Sequence, residues 1–135
     1  MTFVDTNILL YAISPLPAER EKALIARKIL QRNELVLSVQ VLQEFYVQAT
    51  RPSRSLPYSH EDATSLIRHW LRFHIIPLTV QTVQDALDIK NRYQTSYWDA
   101  AILAAAASAG CTELLSEDLN PGQSYDAVRL INPFL

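Results

Sequence analysis

Five short apolar runs, separated by longer segments of helical periodicity, constrain this chain more than any other feature. The runs are Thr2-Phe3-Val4, Leu35-Val36-Leu37-Ser38, Ile75-Ile76, Leu114-Leu115-Ser116 and Val128-Arg129-Leu130-Ile131. These short runs read as strands, that of Leu35 to Ser38 as a buried one. Between them, apolar residues recur at helical spacing: Ile8 to Ala12, Glu19 to Leu30, Val41 to Ala49, the Ser59-led stretch through Phe73, Val80 to Tyr93, and Ala100 to Ala109. The expected face of the Val80 helix comprises Val80, Val83, Ala86, Leu87, Ile89 and Tyr93. Strand and helix in alternation imply an α/β fold with a central parallel sheet of four or five strands, flanked by helices on both faces.

The punctuation agrees. Asp5-Thr6-Asn7 can open the first helix, and Pro15 lies beyond its end. Ser59 with Asp62, and Ser96 with Asp99, have capping-box spacing, and Gly110 is placed to stop the Ala100 helix. The segment Arg51 to Pro57 reads as a long basic loop, and residues 1–135 as one domain.

Composition removes several classes. Apolar residues make up 49% and charged residues 19%, which suits a chain with a core. The single Cys111 excludes a disulfide framework, and two glycines exclude a Gly-rich phosphate loop. His60, His69 and His74 have no ligand spacing, so no zinc site is expected. No apolar run approaches the ~20 residues a membrane helix needs, and no signal peptide is visible, so a cytoplasmic location is expected.

Four acids fall at or near the carboxyl ends of strands, where open parallel sheets bind ligands. Asp5 follows the first strand and Asp118 the fourth, Glu44 lies two turns into the helix after Ser38, and Asp99 opens the helix leading to Leu114. If the first, second and fourth strands are neighbours, these acids share one cleft. Adjacent carboxylates repel, and a divalent cation removes the conflict. An oxygen-only donor set suits Mg²⁺ or Mn²⁺, and the expected chemistry is phosphodiester hydrolysis by a metal-activated water. Each acid also has a plainer reading: Asp5 as a helix cap, Asp99 as part of a capping box, Glu44 as a solvated helical acid, Asp118 as a turn residue before Pro121. Glu117 is a possible fifth acid.

The motifs Phe3-Val4-Asp5-Thr6-Asn7-Ile8-Leu9-Leu10-Tyr11, Gln43-Glu44-Phe45, Tyr97-Trp98-Asp99-Ala100-Ala101-Ile102-Leu103 and Leu114-Leu115-Ser116-Glu117-Asp118, in that order, resemble the PIN-domain ribonucleases, and within them the VapC-type toxins. The closing Ile131-Asn132-Pro133-Phe134 is similar to one branch of that family. The resemblance implies an Mg²⁺- or Mn²⁺-dependent endoribonuclease with Asp5, Glu44, Asp99 and Asp118 as catalytic and metal-binding residues. It implies supporting roles for Asn7, beside the cleft, and for Ser116, whose hydroxyl orients a carboxylate or a metal-bound water. It also implies a homodimer held inactive by a cognate antitoxin. The basic loop is longer than the family pattern, and Glu117 adds an acid to it. Two other readings of the same motifs are an RNA-processing nuclease outside toxin systems and an inactive RNA- or protein-binding module. A haloacid-dehalogenase-type phosphatase fits less well, because Asn7 stands where its second Asp belongs.

RNA as a partner is compatible with the charge distribution. The net charge is −2, yet residues 20–72 carry nine Lys/Arg against five acids. Arg51 and Arg54 in the loop are the first candidates for phosphate contacts, and Arg68 with Arg72 form a second pair. Tyr58, Trp70 and Trp98 are candidates for stacking on unpaired bases.

Overall fold

The computed structural model describes all residues from Met1 to Leu135. In chain order the elements are β1 (Thr2–Val4), α1 (Thr6–Ala12), a 3-10 turn (Pro17–Glu19), α2 (Arg20–Ile29), β2 (Leu35–Ser38), α3 (Val39–Ala49), α4 (His60–Trp70), β3 (His74–Ile76), α5 (Val80–Tyr93), α6 (Tyr97–Ser108), β4 (Glu113–Leu115), β5 (Ser124–Tyr125) and β6 (Val128–Ile131). The sheet has six strands in the order β3-β2-β1-β4-β6-β5. The five expected strands pair in parallel, and β5 adds a short antiparallel edge on β6. That two-residue strand has no apolar run to announce it.

β1 is central, hydrogen-bonded to β2 on one side and β4 on the other. All three residues of β1 and all four of β2 are buried, which requires cover on both faces of the sheet. Helix α1 packs against α2 and α3, and α3 against α4. Helix α6 packs against β2, β4 and β6, with α5 lying along it.

The N-caps form as their spacing predicts. Ser59 Oγ accepts from the Asp62 amide at 3.1 Å, and Ser96 Oγ from the Asp99 amide at 3.1 Å. Gly110, at φ 74°, takes the left-handed position after α6 that a Cβ would disfavour. Ala100 to Ala106 are buried without interruption, so α6 is apolar on every side.

Helix α5 differs from the expected face. Thr82, Ala86 and Ile89 are buried, whereas Val80, Val83 and Leu87 are exposed. The helix carries two apolar stripes, and only the one facing the small side chains of α6 is covered. Trp70 also departs from expectation. It is buried edge-on against Phe45, at 4.7 Å between ring centroids, and cannot stack on a base. The Tyr58 hydroxyl donates to the Ile13 carbonyl at 2.7 Å, so Tyr58 serves to pin the basic loop. No helix is long and apolar enough to cross a membrane.

Candidate active site

Asp5 is the first residue after β1 and the N-cap of α1. Its Oδ1 accepts from the Thr6 amide at 2.7 Å, and its Oδ2 from the Ser116 hydroxyl at 2.8 Å. The cap and the strand end therefore hold one carboxylate in a single orientation. Ser116 is fully buried just beyond β4, and its Oγ also accepts from the Asp118 amide at 3.0 Å and from Asn7 Nδ2 at 3.2 Å. Asn7 Nδ2 reaches Asp118 Oδ2 at 3.3 Å, and Asn7 Oδ1 accepts from the Glu117 amide at 3.3 Å. Asn7 and Ser116 thus join the Asp5 and Asp118 segments.

Glu44 reaches the same place from α3. One oxygen accepts from the Thr6 hydroxyl at 2.8 Å and the other from Gln40 Nε2 at 2.8 Å. Gln40 is buried and also donates to the Trp98 carbonyl at 3.2 Å, which ties α3 to the first turn of α6. Asp99 follows in that turn. Sequence reasoning did not single out Thr6 or Gln40. The available signals were the hydroxyl directly after Asp5 and the i, i+4 spacing of Gln40 and Glu44.

Asp5, Glu44, Asp99 and Asp118 line one cleft of about 250 Å³ together with Thr6, Asn7, Leu10, Gln48, Trp98 and Ile102. No basic side chain lines it. Burial pushes the Asp5 carboxyl up to about 6, against the Ser116 and Thr6 hydrogen bonds, and the charges of Asp118 and Glu44 push the same way. The Asp99 carboxyl is also raised, first by burial and then by Asp118 and Glu44, against its hydrogen bond within the Ser96 cap. Such a set is frustrated without a counter-charge. As they stand, the carboxylates do not enclose one point as an all-protein cation cage does. The hard oxygen donors, the missing basic residue and the raised Asp5 and Asp99 fit Mg²⁺ or Mn²⁺, ions that are held by a few carboxylates and keep much of their water.

Glu117 is not part of the cleft. It pairs with Lys22 and accepts from the Tyr11 hydroxyl at 2.5 Å, one turn of α1 beyond the Asn7 that holds Asp118. Burial works to raise its carboxyl, but the Lys22 and Tyr11 hydrogen bonds outweigh that and hold it below the usual value. The four candidate arginines divide. Arg51 lines a groove that shares Glu44, Gln48 and Trp98 with the cleft, and Arg54 a hollow that shares Asn7 and Leu10 with it. Arg68 and Arg72 line neither the cleft nor these two hollows. Arg72 is engaged elsewhere, donating to the Leu30 carbonyl at 2.9 Å with its guanidinium 4.1 Å from the Phe73 ring centroid.

Residues 2–123 match the family model described as PIN domain. No curated protein matches the chain. Among solved structures, a toxin–antitoxin complex from Klebsiella pneumoniae is similar at a TM-score of 0.74 and 19% identity, covering 98% of each chain. VapC20 of Mycobacterium tuberculosis, described as a sarcin–ricin loop cleaving toxin, is similar at 0.67 and 18% identity, covering 84% of this chain and 87% of its own. FitAcB of Neisseria gonorrhoeae is similar at 0.68 and 20% identity, covering 99% of each. At these identities the likeness is one of fold.

Proposed function

The chain belongs to the PIN-domain family, and from that premise we propose that it is an Mg²⁺- or Mn²⁺-dependent endoribonuclease acting as the toxin of a toxin–antitoxin pair. The observation that carries this reading is the convergence of Asp5, Glu44, Asp99 and Asp118, from four separate segments, on one cleft without a basic residue. Asp5, Glu44, Asp99 and Asp118 would supply the carboxylates that hold the ion, directly or through the water it keeps. When bound, it supplies an activated water and neutralises charge on the phosphate under attack.

The chain's own residues do the positioning. Ser116 and the Thr6 amide fix Asp5, Thr6 and Gln40 fix Glu44, and Asn7 fixes Asp118. None of these groups is a nucleophile, and water is the attacking species. Arg51 and Arg54 stand beside the cleft, where they attract the phosphates that the bare acids repel. Purified protein should cleave RNA with Mg²⁺, stop in EDTA, and fail when Asp99 is replaced by Asn. Cleavage unaffected by EDTA refutes the reading. Sequencing the 5′ ends of cellular RNA after brief induction, with Asp5→Asn as control, would identify the substrate.

The family's solved relatives include toxin–antitoxin complexes, which supports a proteinaceous inhibitor for this chain as well. Leu24 and Ile25, exposed on α2, offer it apolar contact. A homodimer is supported by the uncovered row Val80, Val83 and Leu87 along α5, with exposed Leu78 just before the helix.

A further inference from the structure

Beside the acid cleft runs a groove of about 480 Å³, lined by Gln40, Gln43, Glu44, Val47 and Gln48 of one stripe of α3, by Arg51 just beyond the helix end, and by Trp98 of α6. From Gln40 to Gln48 the stripe extends roughly 12 Å, at about 1.5 Å per residue. Glu44, Gln48 and Trp98 belong to both hollows, so the groove opens directly into the cleft. The Trp98 side chain is unusual in being 65% exposed, whereas the other tryptophan, Trp70, is buried. Its only aromatic neighbour is Tyr97, edge-on at 5.2 Å. Arg51 joins none of the protein's three ion pairs. Gln40 fixes the geometry, because the same buried amide holds Glu44 and the Trp98 carbonyl.

The geometry points to a nucleotide subsite: an unpaired base next to the reacting phosphate stacks on the Trp98 indole, and Arg51 takes a phosphate further along the strand. A flat exposed indole suits the face of any base, and amide side chains suit its polar edge. Gln43 and Gln48 carry both a donor and an acceptor, and either leaves the groove with few competing charges. The inference rests on the nuclease reading, and it adds which residues grip a base rather than a backbone.

The test measures binding of a short oligouridylate and of an abasic strand with the same backbone, with Ca²⁺ replacing Mg²⁺ to hold turnover off. The wild type should prefer the strand with bases by about tenfold, the worth of one stacked base. Trp98→Ala should remove that preference, and Trp98→Phe should keep part of it. Arg51→Ala should weaken both strands alike. A preference that survives Trp98→Ala, or no preference in the wild type, overturns the subsite. A dimer that dissociates on Trp98→Ala with base preference unchanged also overturns it and assigns the face to a second copy. Cleavage with Mg²⁺ is assayed in parallel. Its absence defeats the nuclease reading, while a Trp98-dependent preference for bases supports the subsite in either case.

Discussion

The Ser116 hydroxyl donates to the Asp5 carboxylate at 2.8 Å, and it does so from a fully buried position at the end of the neighbouring strand. The same oxygen accepts from Asp118 and Asn7, so one hydroxyl serves three groups of the cleft. Ser116→Ala leaves these partners short of a bond and should cost about 1–3 kcal/mol in urea denaturation. It also removes an interaction that favours the charged form of Asp5, so the acid limb of the pH–rate profile should move upward. Ser116→Thr should restore much of both.

Burial holds the Asp5 carboxyl near 6, above the usual carboxylate value. The folded protein therefore binds this proton more tightly than the unfolded chain. In EDTA, the stability associated with Asp5 should be greatest below about pH 4 and fall by roughly 3 kcal/mol as pH rises through 6. Cation binding needs the ionised form, so the stabilisation by Mg²⁺ should grow over that same range. Thermal melts with Mg²⁺ and with EDTA should diverge as pH rises, and a gap independent of pH would contradict the assignment.

Gln40 donates to Glu44 and to the Trp98 carbonyl, so under the proposed reading it is a positioning residue. Gln40→Ala should lower kcat by about 10- to 100-fold, as loss of a group orienting a metal-binding carboxylate does, with a smaller effect on KM. Gln40→Glu should be worse than Gln40→Ala, because it adds a like charge beside Glu44. Asp99→Asn, by contrast, should abolish turnover while the circular dichroism spectrum stays native.

The arginines should separate by salt dependence. Arg51→Ala and Arg54→Ala should each reduce the slope of log affinity for single-stranded RNA against log salt by about 0.7, the value for one lost phosphate contact. Arg72→Ala should leave that slope alone. It should instead cost about 1–2 kcal/mol of stability, through the Leu30 carbonyl and the Phe73 ring.

Leu87 is 53% exposed in the row on α5. If that row is the contact between two copies, Leu87→Glu buries a charge there and should yield monomers by light scattering without lowering the melting temperature of the isolated chain. Unchanged dimers would place the contact elsewhere.

The five parallel strands and the caps at Ser59 and Ser96 were legible because periodicity and capping are local. Asp5, Glu44, Asp99 and Asp118 could be expected together only on the condition that the first, second and fourth strands are neighbours, a condition that the order β2-β1-β4 meets. What was not legible depends on side-chain direction. Glu117 and Asp118 are neighbours in sequence but take different partners, Lys22 and Tyr11 for the first and Asn7 for the second, all from distant segments. Arg72 looks like any surface cation until the end of α2 is placed beneath it. The α5 stripes have equal periodicity, and only the Ala-rich surface of α6 decides which is covered. Gln40 looks like solvated polarity until α6 brings Trp98 to it.

The central place of β1 has a temporal consequence. The strand formed by the first residues is hydrogen-bonded to β4, whose residues come more than a hundred positions later. A chain growing on the ribosome carries Asp5 long before Ser116 or Asp118 exists to stand beside it. The cleft comes together only once residues 116–118 have been made, so under the proposed reading a nascent chain that stops short of them carries an incomplete acid set and cannot attack the RNA of the machine that synthesises it.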